Sequence, residues 1–179
     1  MKGQPPAALM ARPRLAHWIA FGGGSGLAPW APGTFGTLWG WLSFVAIDGL
    51  LGRSAWWLVL PTALLLGIWA CRTTAEDLGV PDHGAIVWDE VVAIWLVLVL
   101  LPQPSEPWGE LASQGLAGWP LELIAVLFFR GFDILKPPPI AWMDRRLNGG
   151  WGIMADDLMA AFYTLIAVSV VLRVLGALA

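Results

Sequence analysis

The chain has 179 residues, 58% of them hydrophobic and only 13% charged, with 13 Trp, one Cys and a formal net charge of −3 at pH 7. Together with a mean hydropathy of +0.68, this excludes an ordinary soluble domain and points to an integral membrane protein, whose Trp residues favour the lipid–water interface. The acidic balance and the lack of a basic stripe exclude nucleic acid as the expected partner, and the lone Cys71, set in an apolar run, offers no internal disulfide and reads as a buried structural thiol.

The length suits a single domain over residues 1–179. Residues 1–20 read as an N-terminal tail, with Lys2, Arg12 and Arg14, and a short interfacial segment. The apolar patch at Leu15–Phe21 is too short to span a bilayer and runs into glycines, so no cleaved signal peptide is expected. Gly22–Thr37 follows as GGGSGLAPWAPGTFGT, with the hydroxyls of Ser25, Thr34 and Thr37. Its glycines allow the backbone to approach an anion closely. Two readings stand: a loop lining a phosphate site, or an ordinary turn feeding a membrane helix. No Walker or dinucleotide spacing is present.

Two long apolar segments come next, Phe35–Leu51 and Ala55–Cys71, separated by Gly52, Arg53 and Ser54. They predict an antiparallel helical hairpin of membrane-crossing length. Asp48 reads as an interfacial charge. Thr73–Glu90 is polar and ends in DHGAIVWDE, which brings Asp82, His83, Asp89 and Glu90 to the mouth of the apolar run Val91–Leu101. Adjacent acids there are costly unless paired or bound to a cation, although acids also favour a helix N-terminus. Pro102–Pro120 reads as a loop with Trp108 and Trp119 as interface anchors, and Leu121–Phe129 as the returning segment. This central pair is either a full crossing or a shallower hairpin. Leu158–Leu178 is the last apolar helix. The expected fold is an all-α integral membrane bundle with about four to five membrane-embedded helices.

Between the last two apolar segments, Phe129–Asp157 reads FRGFDILKPPPIAWMDRRLNGGWGIMADD. It gathers Arg130, Asp133, Lys136, Asp144, Arg145, Arg146, Asp156 and Asp157 in a chain otherwise poor in charge. Charges beside lipid cost free energy, so the concentration marks a functional site. With five passes and a cytoplasmic N-terminus, Lys2, Arg12, Arg14, Arg72, Arg130, Lys136, Arg145 and Arg146 lie inside, eight of the ten basic residues. Arg53 and Arg173 lie outside, as the positive-inside rule favours. The same topology puts the Gly-rich loop, DHGAIVWDE and the charged stretch on one face.

Clustered carboxylates without paired His or Cys suit a hard cation, foremost magnesium, while Lys and Arg suit phosphate oxygens. That combination fits phosphate-ester hydrolysis. Each piece has a blander reading: helix-start acids at Asp89–Glu90 and Asp156–Asp157, a local ion pair between Asp133 and Lys136, a surface or capping role for His83. Competing phosphatase chemistries lack their residues. Cys71 has Asp77, not Arg, six positions on; there is no DxDx[TV] motif; and His17 and His83 sit in unrelated settings. A small membrane carrier moving ions past the same acids is the alternative class, but it wants them near mid-membrane rather than at segment ends.

The blocks GSGLAPWAPGTFGT (Gly24–Thr37), DHGAIVWDEVVAIW (Asp82–Trp95) and FRGFDILKPPPIAWMDRRLNGGWGIMADDLMA (Phe129–Ala160) resemble the phosphatidylglycerophosphatase A family. The resemblance covers about Phe21–Ala161. It implies magnesium-dependent hydrolysis of phosphatidylglycerophosphate to phosphatidylglycerol and inorganic phosphate, at the bacterial inner membrane with the active site facing the cytoplasm. On that basis Asp89, Glu90, Asp156 and Asp157 are expected to hold the metal, and Asp89, Glu90, Asp133 and Asp157 to serve catalysis. Arg130, Lys136, Arg145 and Asn148, with the hydroxyls of Ser25, Thr34 and Thr37, are expected to bind the substrate. Which carboxylate is the general base, and the oligomeric state, stay open. One departure is Ala93, where the family typically has Gly.

Overall fold

The structure is a computed structural model that describes residues 5–102 and 118–178. Trp108 and most of the expected 102–120 loop lie outside the described residues. The described residues are helical, with no strand among them. Two short helices, α1 (Pro6–Met10) and α2 (Leu15–Ala20), precede a tight 3-10 stretch at Gly22–Leu27. The long helices follow: α3 (Pro32–Leu51), α4 (Trp56–Leu78), α5 (Trp88–Leu100) and α6 (Trp119–Leu135). A short α7 (Ile140–Arg146) then leads into α8 (Gly149–Leu178).

Among the described residues three stretches, Pro32–Leu51, Arg53–Leu78 and Gly149–Leu175, are long and apolar enough to cross a membrane. The expected hairpin is there, as α3 and α4 joined through Gly52 and a 3-10 turn at Arg53–Ala55. The helices extend beyond the apolar runs. Pro32 takes the first helical position of α3, where its fixed φ and missing N–H carry no penalty. α4 continues past Cys71 to Leu78 and ends at Gly79, which adopts φ +71, while the Val80 N–H bonds the Ala75 carbonyl.

α5 has 13 residues and is the centre of the bundle, packed against α3, α4, α6 and α8. It is apolar on all sides, the pattern of an enclosed helix, and Ala93 is fully buried within it. In lipid there is no hydrophobic force between helices, so close packing and hydrogen bonds of about 0.6–2 kcal/mol each must hold them. α5 has both. A Cβ on Gly40 would press on Val91 and Ile94, so only glycine lets α3 lie this close. Trp95 Nε1 donates to the Gly40 carbonyl at 2.8 Å, and Trp88 Nε1 to the Ala63 carbonyl at 3.0 Å. Phe44, Trp56, Trp95 and Trp88 form a continuous aromatic stack between the helices.

Outward-facing positions are large and apolar: Trp57, Leu58, Leu65, Phe162 and Ile166 are all exposed, as a lipid-facing belt requires. Exposed Trp residues mark both ends, Trp57 and the expected anchor Trp119 at one, Trp30, Trp142 and Trp151 at the other. The fold is the all-α membrane bundle expected, with three long helices and the shorter α5 and α6 between them.

Candidate active site

The site lies where α5 begins. Asp89 and Glu90 occupy its first turn, and Asp157 reaches them from α8. One oxygen from each of the three carboxylates lies within 4.8 Å of the others. Asp89 and Asp157 are buried at 9% and 4% exposure. Asp89 Oδ1, Glu90 Oε2 and Asp157 Oδ2 are shielded from solvent and have no hydrogen-bond partner. An uncompensated buried carboxylate carries a penalty of several kcal/mol, which either protonation or a bound cation relieves. All three donors are oxygens, the chemistry of magnesium or a similar hard ion. These residues fit such an ion.

α6 supplies the counter-charge. Arg130 Nη1 donates to Asp133 Oδ2 at 2.5 Å and stands 3.7 Å from Glu90 Oε1. Its Nε is buried without a partner. Of the four neighbouring carboxylates, Glu90 and Asp133 pair with this guanidinium, and Asp89 and Asp157 have no ion pair to a basic side chain among the described residues. Arg130 has donors to spare for an anion such as phosphate.

A second charged cluster adjoins the first. Lys136 Nζ donates to Asp144 Oδ1 at 2.6 Å and to Asp156 Oδ2 at 2.8 Å. Lys136 ends α6 in the left-handed conformation, with φ +43, which aims its side chain back over α8. Burial opposes its charge, but the hydrogen bonds and charges of Asp144 and Asp156 prevail and raise the Lys136 pKa above its ordinary value. Asp82 joins a cleft of about 60 Å³ with Asp144, Asn148 and Asp156. Although Asp82 is exposed, partial desolvation in this cleft raises its pKa, against the opposing pull of Lys136. Asp156 and Asp157 are thus divided. Consecutive helix positions point about 100° apart, so Asp157 joins Asp89 and Glu90 while Asp156 pairs with Lys136.

The remaining expected residues are placed differently. Ser25 Oγ donates to the Gly22 carbonyl and Thr37 Oγ1 to the Gly33 carbonyl, each at 2.9 Å, and Thr37 is fully buried. Thr34 sits in the first turn of α3, partly buried. Arg145 is exposed on α7. Asn148 Nδ2 reaches only the Arg146 carbonyl, at 3.5 Å. His83 Nδ1 accepts the Ala85 N–H and caps a turn. Two participants escaped the sequence reading: Asp144, which holds Lys136, and Gly33, whose Cα lies against Glu90 and Arg130. The signal for Asp144 was its place in the charged stretch; for Gly33 it was a Pro-Gly pair opening a helix.

The sequence model of the family described as phosphatidylglycerophosphatase A matches residues 18–172. A Haemophilus influenzae phosphatidylglycerophosphatase A is 43% identical over 152 residues, 85% of either chain. An Escherichia coli phosphatidylglycerophosphatase A is 40% identical over 144 residues, 80% of this chain and 76% of its own. A Bacteroides thetaiotaomicron protein, provisionally named a phosphatidylinositol-3-phosphatase, is 34% identical over 175 residues, 93% of this chain and 100% of its own. No solved structure matches.

Proposed function

Because the chain belongs to the phosphatidylglycerophosphatase A family, we propose that this membrane phosphatase, a phosphoric monoester hydrolase, removes the terminal phosphate of phosphatidylglycerophosphate with the help of magnesium. The observation that carries the metal reading is the set of three unpartnered buried carboxylate oxygens beside a guanidinium with a free donor. Asp89, Glu90 and Asp157 would hold the ion. When bound, magnesium supplies charge neutralisation and polarises the phosphoryl group.

The chain's own residues supply the rest. Arg130 binds the phosphate monoester through its Nε and the unused face of its fork, while Asp133 and Glu90 keep the guanidinium oriented. Water attacks phosphorus, the bond from phosphorus to the glycerol oxygen breaks, and an open carboxylate oxygen accepts a proton of the attacking water and passes it to the leaving glycerol oxygen. Burial under α3 and between α5, α6 and α8 limits water to what the reaction uses. The lipid-facing surfaces of α3, α4 and α8 hold the protein at the depth where a phospholipid headgroup meets the site.

The site end is proposed to face the cytoplasm of the inner membrane. Arg12, Arg14, Arg72, Arg130, Lys136, Arg145 and Arg146 belong to that end, against Arg53 and Arg173 at the other, in keeping with the positive-inside rule.

The test is phosphate release from phosphatidylglycerophosphate by the detergent-purified protein. Release that stops with chelator and returns with magnesium is expected. Undiminished release in chelator would remove the metal, and no release from folded, magnesium-supplied protein would remove the substrate.

A further inference from the structure

Gly33 stands in the first turn of α3, after Ala31 in the left-handed conformation and Pro32. No side chain caps this helix end. A Cβ built on Gly33 would collide with Glu90 Oε1 and lie 3.1 and 3.3 Å from Arg130 Nη1 and Nη2. The missing side chain is therefore the space in which the Glu90 carboxylate and the Arg130 guanidinium meet. The geometry differs one turn further on. A Cβ on Gly36 would press first on Val87, with 2.6 Å to its Cβ, and Gly40 abuts Val91 and Ile94. The same helix face thus makes apolar contacts at two glycines and a charged contact at the third.

We propose that Gly33 is a positioning residue, which sets the Glu90 carboxylate and the Arg130 guanidinium in the geometry that receives the cation and the phosphate. It acts in two ways. Lacking a side chain, it lets Glu90 Oε1 rest against the start of α3, where the positive end of the helix dipole favours the negative charge. With Oε1 held there, the other oxygen, Oε2, stays buried and unpartnered, and the Glu90 carboxylate lies in the cluster with Asp89 and Asp157. Arg130 is fixed from the same side, since its guanidinium is bounded by Gly33 on one flank and Asp133 on the other. Thr37 completes the arrangement by bonding the Gly33 carbonyl, which holds the first turn of α3 in place.

This inference rests on the metal-phosphatase reading, and its test keeps the two apart. Manganese binding to detergent-purified protein is followed by electron paramagnetic resonance, independently of turnover. Wild-type protein that binds no manganese would remove the metal reading itself. Given binding, Gly33→Ala is expected to weaken it by about 10–100-fold, the range for residues that orient ligands. Glu90→Asp withdraws the carboxylate by one methylene and makes room for the methyl. In the E90D background the G33A substitution is therefore expected to change affinity by no more than about twofold, a strongly non-additive cycle. Gly36→Ala is the packing control: it lowers thermal stability without weakening manganese binding in the folded fraction. The proposal is overturned if Gly33→Ala binds manganese like wild type, or if its penalty is the same with Glu and with Asp at position 90. It is also overturned if Gly36→Ala weakens binding as much as Gly33→Ala does.

Discussion

Where α3 turns into α4, Asp48 Oδ1 accepts the Trp56 Nε1 proton at 2.9 Å and pairs with Arg53 Nε at 3.3 Å. Arg53 also donates to the carbonyls of Leu98 and Val99 at the end of α5 and lies over the Phe44 ring. Glu122, at the start of α6, accepts from Trp41 Nε1 at 2.6 Å. At the opposite end, Asp89, Glu90 and Asp157 each keep a buried oxygen with no partner. The two ends use the same residue types, on different helices of one bundle. One end satisfies its acids within the chain and contributes to stability; the other leaves an oxygen of each acid open, as the proposed cation site requires. An unsatisfied buried polar group in an otherwise well-paired protein calls for such an explanation.

Substitutions that treat the two ends alike should have opposite effects. The largest effect is expected for Asp157→Asn, which should lower kcat for phosphate release by at least about a thousandfold, roughly 4 kcal/mol of barrier. Its thermal stability without metal should equal or exceed that of wild type, because a buried charge is removed. Full residual turnover would take Asp157 out of the site. Next in size is the response to magnesium. At a hundredfold excess over its dissociation constant, the ion should stabilise wild type by about 2.7 kcal/mol, seen as a rise in the melting temperature that Asp157→Asn lacks. Equal rises in both proteins would place the ion elsewhere.

Asp48→Ala should do the converse. It should cost about 1 kcal/mol of stability through the lost Trp56 bond and Arg53 pair, and leave both turnover and the magnesium response as they are. A loss of turnover at unchanged stability would erase the contrast between the ends. The smallest effect concerns Lys136, whose pKa is raised in the folded protein. A raised pKa contributes stability that is complete below the unfolded value and fades as pH rises through the folded one. The stability gap between wild type and Lys136→Met should hold from neutral pH to about 10.4, the ordinary lysine value, and narrow above it. A gap that closes below pH 9 would mean that the Asp144 and Asp156 pairs do not support the charge.

Much of this arrangement was legible in the sequence, because charges stand out in an apolar chain. Asp89–Glu90 and Arg130–Asp133 were set apart by composition alone, and the structure brings them together with Asp157. The division between Asp156 and Asp157 was not legible. It depends on how α8 is rotated, and that rotation is fixed by contacts remote in sequence: Gly150 backs onto Ile68, and Met154 packs against Gly67. Ser25, Thr34 and Thr37 show a different limit. Composition made Gly22–Thr37 look like one polar loop, but Pro32 starts a helix inside it. The Thr37 hydroxyl then bonds the carbonyl four residues back, as a helical threonine commonly does. Likewise α5 reads as too short to cross a bilayer. It lies within the bundle, enclosed by longer helices, and has no need of the length that a lipid-exposed helix would require.

Manganese binding by wild type and by Asp157→Asn, measured side by side in detergent by electron paramagnetic resonance, tests the centre of this account most directly. Saturable binding to wild type and its loss in the variant, with both proteins folded, is the expected result. Equal binding by both would show that the open carboxylates at the start of α5 are not where the cation is held.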